Sequence, residues 1–142
     1  MIEIKPLEIL TSEYNQYFII TKEVEEIVKN LKIKNGMLTV ETKHTTTGII
    51  VNESLECLQS DIDVFLGRII PEDYPYSHCH MLKDYGSTGG NPTGHLKALV
   101  VGNHCHFPII NGEIVKGGAQ DIYFCEFDGP SQRTINVIIE GE

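Results

Sequence analysis

Apolar positions in the first third of the chain follow two different periods. Residues 2–10 and 16–21 are rich in Ile, Leu, Tyr and Phe and are separated by a polar break, which predicts two strands joined as an opening hairpin. From Thr21 onward the apolar residues recur at a helical spacing. We therefore predict a first amphipathic helix that has Thr21 as its N-cap and is closed by Asn35-Gly36.

The next segment combines two short strands with a second helix. Residues 37–42 and 48–51 have strand character, and an apolar face at helical spacing starts after Ser54, the predicted N-cap. Pro71 is expected to end this second helix. Residues 71–94 contain many Pro and Gly without periodicity, yet also tyrosines and histidines, so we predict an ordered functional loop there.

The last third of the chain contains short apolar runs and turn residues. Residues 96–101 and 107–110 are apolar, and Asn111-Gly112 is a strong signal for a two-residue hairpin turn. Two final strands are predicted at residues 122–127 and 134–140. Strands and helices are mixed without βαβ regularity, so we predict the α+β class, with a mostly antiparallel or mixed β-sheet packed with two helices.

Length and charge narrow the function classes. A chain of 142 residues fits one domain, residues 1–142, that can bury a core without disulfides. Its 20 acidic and 11 basic residues give a formal charge of -9, and no basic run is present, so we expect no nucleic-acid partner and no binding to an anionic membrane. The apolar runs are too short to span a bilayer, and no signal pattern is present, so we expect a cytoplasmic protein.

The cysteines do not form a recognisable site. Cys57, Cys79, Cys105 and Cys125 are far apart and never form a Cys-x-x-Cys pair, so we expect free thiols.

A polar motif inside a strand-like stretch is the first candidate for chemistry. The residues from His44 to Thr47 can all form hydrogen bonds, and Gly48 allows another chain or a ligand to approach the backbone. Asn52-Glu53 follows after three apolar residues. Such a run is unsuited to a core and typical of a site.

All six histidines lie between His44 and His106, which indicates one functional region. The sequence His-Cys-His occurs at 78–80 and again at 104–106, and in an extended chain each pair of histidines could chelate one ion. A site that also uses His44 and His95 is the stronger prediction, because three imidazoles suffice for an open zinc-type site. We predict His44, His78 and His95 as metal ligands.

Oxygen donors and cations offer other binding groups. Asn52, Glu53, Glu126 and Asp128 could hold magnesium or orient a histidine. Glu126 lies in an otherwise apolar strand, and a charge there requires a partner such as Arg133. Lys97 and Arg133 could receive a phosphate or diphosphate. The divalent metal, zinc-type or magnesium, is left open.

Several of these motifs together resemble the YjbQ-like family, the secondary thiamine-phosphate synthases. They are, in order, His44-Thr45-Thr46, Asn52-Glu53, Tyr76-Ser77-His78, His95-Leu96-Lys97-Ala98, Asn111-Gly112, Gly118 with Gln120, and Cys125-Glu126-Phe127-Asp128-Gly129-Pro130. The resemblance covers nearly the whole chain. It differs at Asn91, where the family usually has an acidic residue, and at Ala119, where it usually has a tryptophan.

The resemblance implies a homotrimer of small α+β domains that joins a pyrimidine diphosphate to a thiazole phosphate, with loss of diphosphate. The expected catalytic residues are His44, Glu53, His95 and Glu126. The residues expected to bind the phosphorylated small-molecule substrate are Thr45, Thr46, Asn52, Asn91, Lys97, Gln120 and Arg133.

Two alternatives use the same residues. Imidazoles favour zinc, iron or nickel over magnesium, so a metal-assisted hydrolase of a phosphorylated or acyl substrate is a second hypothesis. The third is a non-catalytic module that binds a metal or a small anion. The sequence leaves all three open.

Overall fold

The computed structural model describes residues 1–79, 81–82, 86–87 and 90–142. A five-stranded sheet contains, in spatial order, β1 (Ile2–Leu10), β10 (Gln132–Gly141), β3 (Gly36–Thr42), β7 (His104–Ile110) and β8 (Glu113–Ile114). A three-stranded sheet contains β2 (Gln16–Ile19), β9 (Asp121–Glu126) and β4 (Thr47–Asn52). A short pair is formed by β5 (Met81–Leu82) and β6 (Gly86–Ser87).

The strand pairs of the described chain are antiparallel, and the predicted α+β class is confirmed. The helices are α1 (Thr21–Leu31), α2 (Glu56–Ile69) and α3 (Pro92–Val101), with a 3₁₀ turn at Ser77–Cys79. The described residues thus contain three α-helices instead of the two expected. None of the described helices has the length and apolar character needed to cross a bilayer.

The opening hairpin was a wrong prediction. β1 pairs with β10 along Ile2↔Glu140 to Leu10↔Gln132, and β2 pairs with β9, so the first two strands belong to different sheets. The pattern predicted the strands but not their partners, because both partners come from the end of the chain. The turn at Asn111-Gly112 is confirmed, with φ angles of 53° and 81° that match a type I′ hairpin between β7 and β8.

Two helix caps also differ from the prediction. The N-cap position of α1 is Ile20, without a side-chain capping bond, and that of α2 is Leu55, again without one. The hydroxyl of Thr21 instead donates to Asp121 Oδ1 at 2.7 Å. Packing of the apolar faces, rather than capping, therefore fixes where these helices begin.

The main core lies between the two sheets and beneath α1. The apolar stripe of α1 places Val24 and Val28 against the inner faces of both sheets. Strand β9 is buried on both sides: Ile122 and Phe124 belong to this main core, while Tyr123, Cys125 and Phe127 pack with residues of α2 and α3. The order of layers is five-stranded sheet, three-stranded sheet, and then the helices α2 and α3.

Helix α3 was not predicted from the sequence because its last six residues are almost uniformly apolar. Such a run shows no polar face at helical spacing and is ambiguous between strand and helix. In the structure α3 packs against β4, where an added Cβ on Gly48 would collide with the side chain of Val101. The close approach predicted at Gly48 is therefore made by α3.

Candidate functional site

A buried ion pair forms the base of the candidate site. Glu126 is 0% exposed, and Arg133 bonds its carboxylate at both oxygens, Nε to Oε1 and Nη2 to Oε2, each at 2.8 Å. This confirms that the charge in strand β9 is partnered by Arg133. The bidentate geometry is the strongest that an arginine and a carboxylate can make.

Glu126 has further partners on the same two oxygens. Thr11 Oγ1 donates to Oε1 at 2.8 Å, and the backbone N–H of Asp128 donates to Oε2 at 3.1 Å. Burial alone would raise the pKa of Glu126, but the bonds from Arg133, Thr11 and Asp128 hold that pKa below its ordinary value. The carboxylate is thus ionised and fully occupied, which suits it to position Arg133 rather than to take a proton from a substrate.

Arg133 is held through Nε and Nη2, while its third guanidinium nitrogen, Nη1, has no partner among the described residues. Nη2 also bonds Thr46 Oγ1 at 3.3 Å and the carbonyl of Asp128 at 3.4 Å. Within the described part of the chain, Nη1 makes no hydrogen bond. Since an unpaired guanidinium nitrogen can donate to an anion, the anion-binding role of Arg133 stays a prediction that this geometry allows.

The turn between β3 and β4 fixes the backbone of His44. The N–H of His44 donates to Thr42 Oγ1 at 3.4 Å, Thr42 Oγ1 lies 2.6 Å from Thr47 Oγ1, and Thr47 Oγ1 donates to the carbonyl of His44 at 3.0 Å. The hydroxyls of Thr42 and Thr47 are therefore structural, while Thr45 is exposed. The threonine run serves as a scaffold that presents His44.

The His44 ring is also held at its tip. Nε2 accepts the backbone N–H of Thr134 at 3.1 Å. Burial lowers the pKa of His44 most, and the positive charge of Arg133 lowers it next. Lys43 adds a further lowering, and Glu126 and Glu8 oppose these effects. His44 is therefore a neutral imidazole near neutral pH.

Two cavities share His95 in their lining. The first, which we call the turn cavity, has a volume of about 630 Å³ and lies between residues 42–47 and helix α3, with Lys43, His44, Thr45 and His95 in its lining. The second, the loop cavity, has about 440 Å³ and is lined by Tyr76, Ser77, His78, Pro92, His95 and Leu96. Helix α3 thus brings His95 to both cavities.

The predicted three-histidine metal site is not assembled. The rings of His78 and His95 meet edge to face, with centroids 4.9 Å apart, and Nε2 of His44 is occupied by Thr134. Among the described residues, no group of three or more His, Cys, Asp or Glu side chains is arranged to hold a metal ion. His44, His78 and His95 are therefore not arranged as the expected set of metal ligands. His80 and the side chain of Cys79 lie outside the described residues, and the divalent metal stays a prediction.

Three predicted site residues lie at the other end of the β4–β9 pair. Thr47 pairs with Glu126 at one end and Asn52 pairs with Asp121 at the other, about 17 Å away along the strands. Asn52 Oδ1 accepts the backbone N–H of Glu53, and Gln120 Oε1 accepts that of Gly117. Asn52, Glu53 and Gln120 are therefore separated from His44, contrary to the grouping expected from their sequence motifs.

Lys97 is buried away from both cavities. It lies two residues after His95 on α3, about 200° around the helix, and is 3% exposed. Its Nζ is 4.0 Å from Glu72 Oε1. Glu72 also accepts a hydrogen bond from Thr93 at 2.9 Å and one from Tyr14 at 3.2 Å. This polar cluster fastens the loop after α2 to α3, and no sequence signal identified Glu72 or Tyr14.

Asn91 connects α3 to the ion pair. Its Nδ2 donates to Asp128 Oδ2 at 2.8 Å, directly before Pro92 starts the helix. Its Oδ1 is buried and has no hydrogen-bond partner in the described structure. Asn91 therefore ties the start of α3 to Asp128, whose N–H donates to Glu126, and leaves one acceptor unused. Its role in substrate binding stays a prediction.

Comparison with known proteins gives one consistent result. The model of the family described as UPF0047 protein YjbQ-like matches residues 5–142. YugU of Bacillus subtilis is 35% identical over 141 residues, covering 97% of this chain and 99% of that protein. A UPF0047 protein of Methanothermobacter thermautotrophicus is 34% identical over 136 residues, covering 96% of this chain and 90% of that protein.

Solved structures agree with the sequence relatives. A YbjQ-like protein of unknown function from Sulfolobus solfataricus superposes with a TM-score of 0.90 at 30% identity, covering 100% of this chain and 99% of that one. A YjbQ/UPF0047 family protein from Clostridium acetobutylicum gives a TM-score of 0.86 at 34% identity, covering 96% and 99%. The resemblance noted in the sequence is confirmed, and the chain belongs to the UPF0047, YjbQ-like family.

Proposed function

We propose that this protein is an enzyme that binds a phosphorylated small molecule in the turn cavity. The observation that carries the proposal is the composition of that cavity: two imidazoles, His44 and His95, line it together with the ammonium of Lys43 and the hydroxyl of Thr45. Arg133 adds its charge beside His44. A local group of donors and cations in a protein of net charge -9 favours an anionic ligand.

The reaction we propose is thiamine-phosphate synthesis. The thiazole nitrogen forms a C–N bond to the methylene carbon of the pyrimidine, the C–O bond to diphosphate breaks, and diphosphate leaves with the electron pair. Negative charge develops on the leaving diphosphate, so fixed cations there lower the barrier. Arg133 and Lys43 are the cations nearest His44, whereas Lys97, given this role from the sequence, is buried against Glu72.

Glu126 has an indirect role in this proposal. With both oxygens bonded to Arg133, it holds the guanidinium in one orientation, and the bond to Thr46 ties Arg133 to the turn that carries His44. A preorganised donor loses no free energy to reorganisation during the reaction. Glu126 is thus a positioning residue, and His44 and His95 are the groups that contact the substrate.

The homotrimer remains part of the proposal. Several large apolar side chains on the outer sides of α2 and α3 are exposed: Val64, Phe65, Ile69, Leu99 and Val100. An apolar surface of this kind favours contact with another protein chain. Covering it by further copies of the same chain would accord with the trimer that the sequence resemblance implies.

The test is product formation from the two thiamine precursors with Mg²⁺, followed by chromatography. We expect His44→Ala and His95→Ala to lower the rate about 10- to 100-fold, since a hydrogen bond to a charged group contributes about 1.5–3 kcal/mol. His106→Ala, at an exposed position of β7, is the matched control and should keep the wild-type rate. Sedimentation of the same samples reports the trimer.

Three outcomes separate the hypotheses. Equal rates for His44→Ala and His106→Ala would contradict the turn cavity as the site. Wild-type protein that binds diphosphate stoichiometrically without forming product would replace the synthase by the binding module. Hydrolysis of the pyrimidine diphosphate without the thiazole would instead support the hydrolase.

A further inference from the structure

The strand ladder between β10 and β3 ends one residue before the site. Its register runs from Gly141↔Gly36 to Ile135↔Thr42. The next residue of β10, Thr134, therefore finds no β3 carbonyl opposite its N–H. The imidazole of His44 takes that place, with Nε2 3.1 Å from the Thr134 nitrogen.

This contact determines which ring nitrogen of His44 carries the proton. A backbone N–H can only donate, so Nε2 must be the unprotonated acceptor. A neutral imidazole then carries its one proton on Nδ1. No hydrogen bond from Nδ1 to another described residue occurs, so Nδ1–H is available to a ligand.

The surroundings hold His44 in this state. The bonds through Thr42 and Thr47 fix its backbone, and rotating the ring to free Nε2 would leave the Thr134 N–H without its partner. Protonating Nε2 would place two donors face to face. The lowered pKa of His44, caused first by burial and then by Arg133, acts in the same direction.

We infer that His44 binds an unprotonated phosphate oxygen of the ligand through Nδ1–H, and that it neither coordinates a metal ion nor accepts a proton. This inference rests on the proposed function for the location of the ligand in the turn cavity. Metal coordination through Nδ1 would move the proton to Nε2, against the Thr134 N–H. The nearby charges of Arg133 and Lys43 select phosphate over an uncharged carbonyl.

The test is nitrogen NMR on full-length protein labelled with ¹⁵N-histidine, because the ring shifts distinguish a protonated from an unprotonated nitrogen. The His44 signals are identified by their loss in His44→Gln, and the exposed His106 serves as the internal control. At pH 7 we expect His44 with Nδ1 protonated and Nε2 unprotonated. Inorganic phosphate should shift Nδ1 of His44 and leave His106 unchanged, and one equivalent of Zn²⁺ should leave His44 unchanged.

The outcomes are decisive in either direction. An Nε2–H tautomer, Zn²⁺ coordination at His44, or a His44 signal that ignores phosphate would overturn the inference, even where thiamine phosphate is formed. The expected tautomer and phosphate response in a protein that forms no product would leave this inference standing and remove the proposed reaction. The two proposals can therefore fail separately.

Discussion

The two ends of the β4–β9 strand pair carry similar polar residues with different roles. At the site end, where Thr47 pairs with Glu126, the carboxylate is completely buried and bonded by Arg133. At the far end, where Asn52 pairs with Asp121, Glu53 is exposed. The difference shows that a counter-charge from the other sheet, here Arg133 of β10, distinguishes the candidate site from the other strand end.

The far end uses its polar groups to build local structure. Thr21 Oγ1 donates to Asp121 and accepts the N–H of Ile122 at 2.9 Å, which fastens α1 to β9. The hydroxyl of Tyr123 donates to the carbonyl of Glu53 at 2.6 Å. These bonds satisfy backbone and side-chain groups at the edge of the core, and they present no convergent donors to a ligand.

The largest expected difference between the two ends is in stability. Glu126→Gln leaves the buried Arg133 without a counter-charge, and removing one partner of a buried pair costs about 3–5 kcal/mol. Glu53→Gln, at an exposed carboxylate, should change the free energy of unfolding by less than about 0.5 kcal/mol. Urea unfolding monitored by circular dichroism measures both.

A double variant sharpens this comparison. Arg133→Met combined with Glu126→Met removes both charges, so it should recover much of the stability lost in Glu126→Gln while leaving phosphate binding absent. Similar losses for Glu126→Gln and Glu53→Gln would refute the distinction between the two ends. A double variant that still bound phosphate would remove Arg133 from the proposed site.

The sequence was sufficient for most elements and for part of the site. Period-two and helical patterns gave α1, α2 and most strands because each has one apolar face. The pairing of Glu126 with Arg133 was also predictable, since a charge in an apolar strand requires a counter-charge. Helix α3 was not, because its apolar run has no polar face to reveal its period.

The remaining site contacts depend on tertiary structure. Thr11 meets Glu126 across 115 residues of sequence, and neither residue type nor spacing connects them. The partner of His44 is a backbone N–H, which every non-proline residue carries, so no sequence motif could indicate Thr134. Glu53 is separated from His44 because His44 precedes β4 and Glu53 follows it, so the whole length of β4 lies between them.

Substitution of two helical glycines by alanine should change the free energy of unfolding by an intermediate amount. A Cβ on Gly94 of α3 would lie 2.9 Å from the carbonyl oxygen of Phe127 and 3.3 Å from Thr46, at the site end of the strand pair. Gly94→Ala should therefore cost about 1–3 kcal/mol by overpacking. The control is Gly67→Ala in α2, where nothing lies within 4 Å and a gain of about 0.5–1 kcal/mol is expected from helix propensity.

These two glycine variants test whether α3 is held closely against the site. Unfolding in urea should move the two midpoints in opposite directions, and Gly94→Ala should also weaken phosphate binding through displacement of His95. If Gly94→Ala were as stable as the wild type and bound phosphate equally well, the close packing of α3 on Thr46 would not be needed for the site.

The smallest expected difference concerns the dependence of stability on acid. Burial raises the pKa of Glu126, but its bonds from Arg133, Thr11 and Asp128 hold the pKa below the ordinary value of 4.5. A carboxyl with a lowered pKa in the folded state stabilises the protein above its unfolded pKa, and the stabilisation is lost as the pH falls through the folded pKa. The free energy of unfolding should therefore decrease on acidification below about pH 4.5.

The pKa of Asp121 at the far end is also lowered, so this carboxyl also stabilises the fold above its unfolded pKa, but the cause is different. The hydrogen bond from Thr21 lowers its pKa most, against an opposing effect of burial. Asp121→Asn should reduce the acid dependence only slightly, because this carboxyl has no bidentate cation partner. Urea unfolding between pH 3 and pH 7 gives the free energy of unfolding as a function of pH. This dependence should be nearly parallel for the wild type and Asp121→Asn, and much flatter at acid pH for Glu126→Gln. If Asp121→Asn flattened the dependence at acid pH as much as Glu126→Gln, the buried pair would not be the main source of the acid dependence.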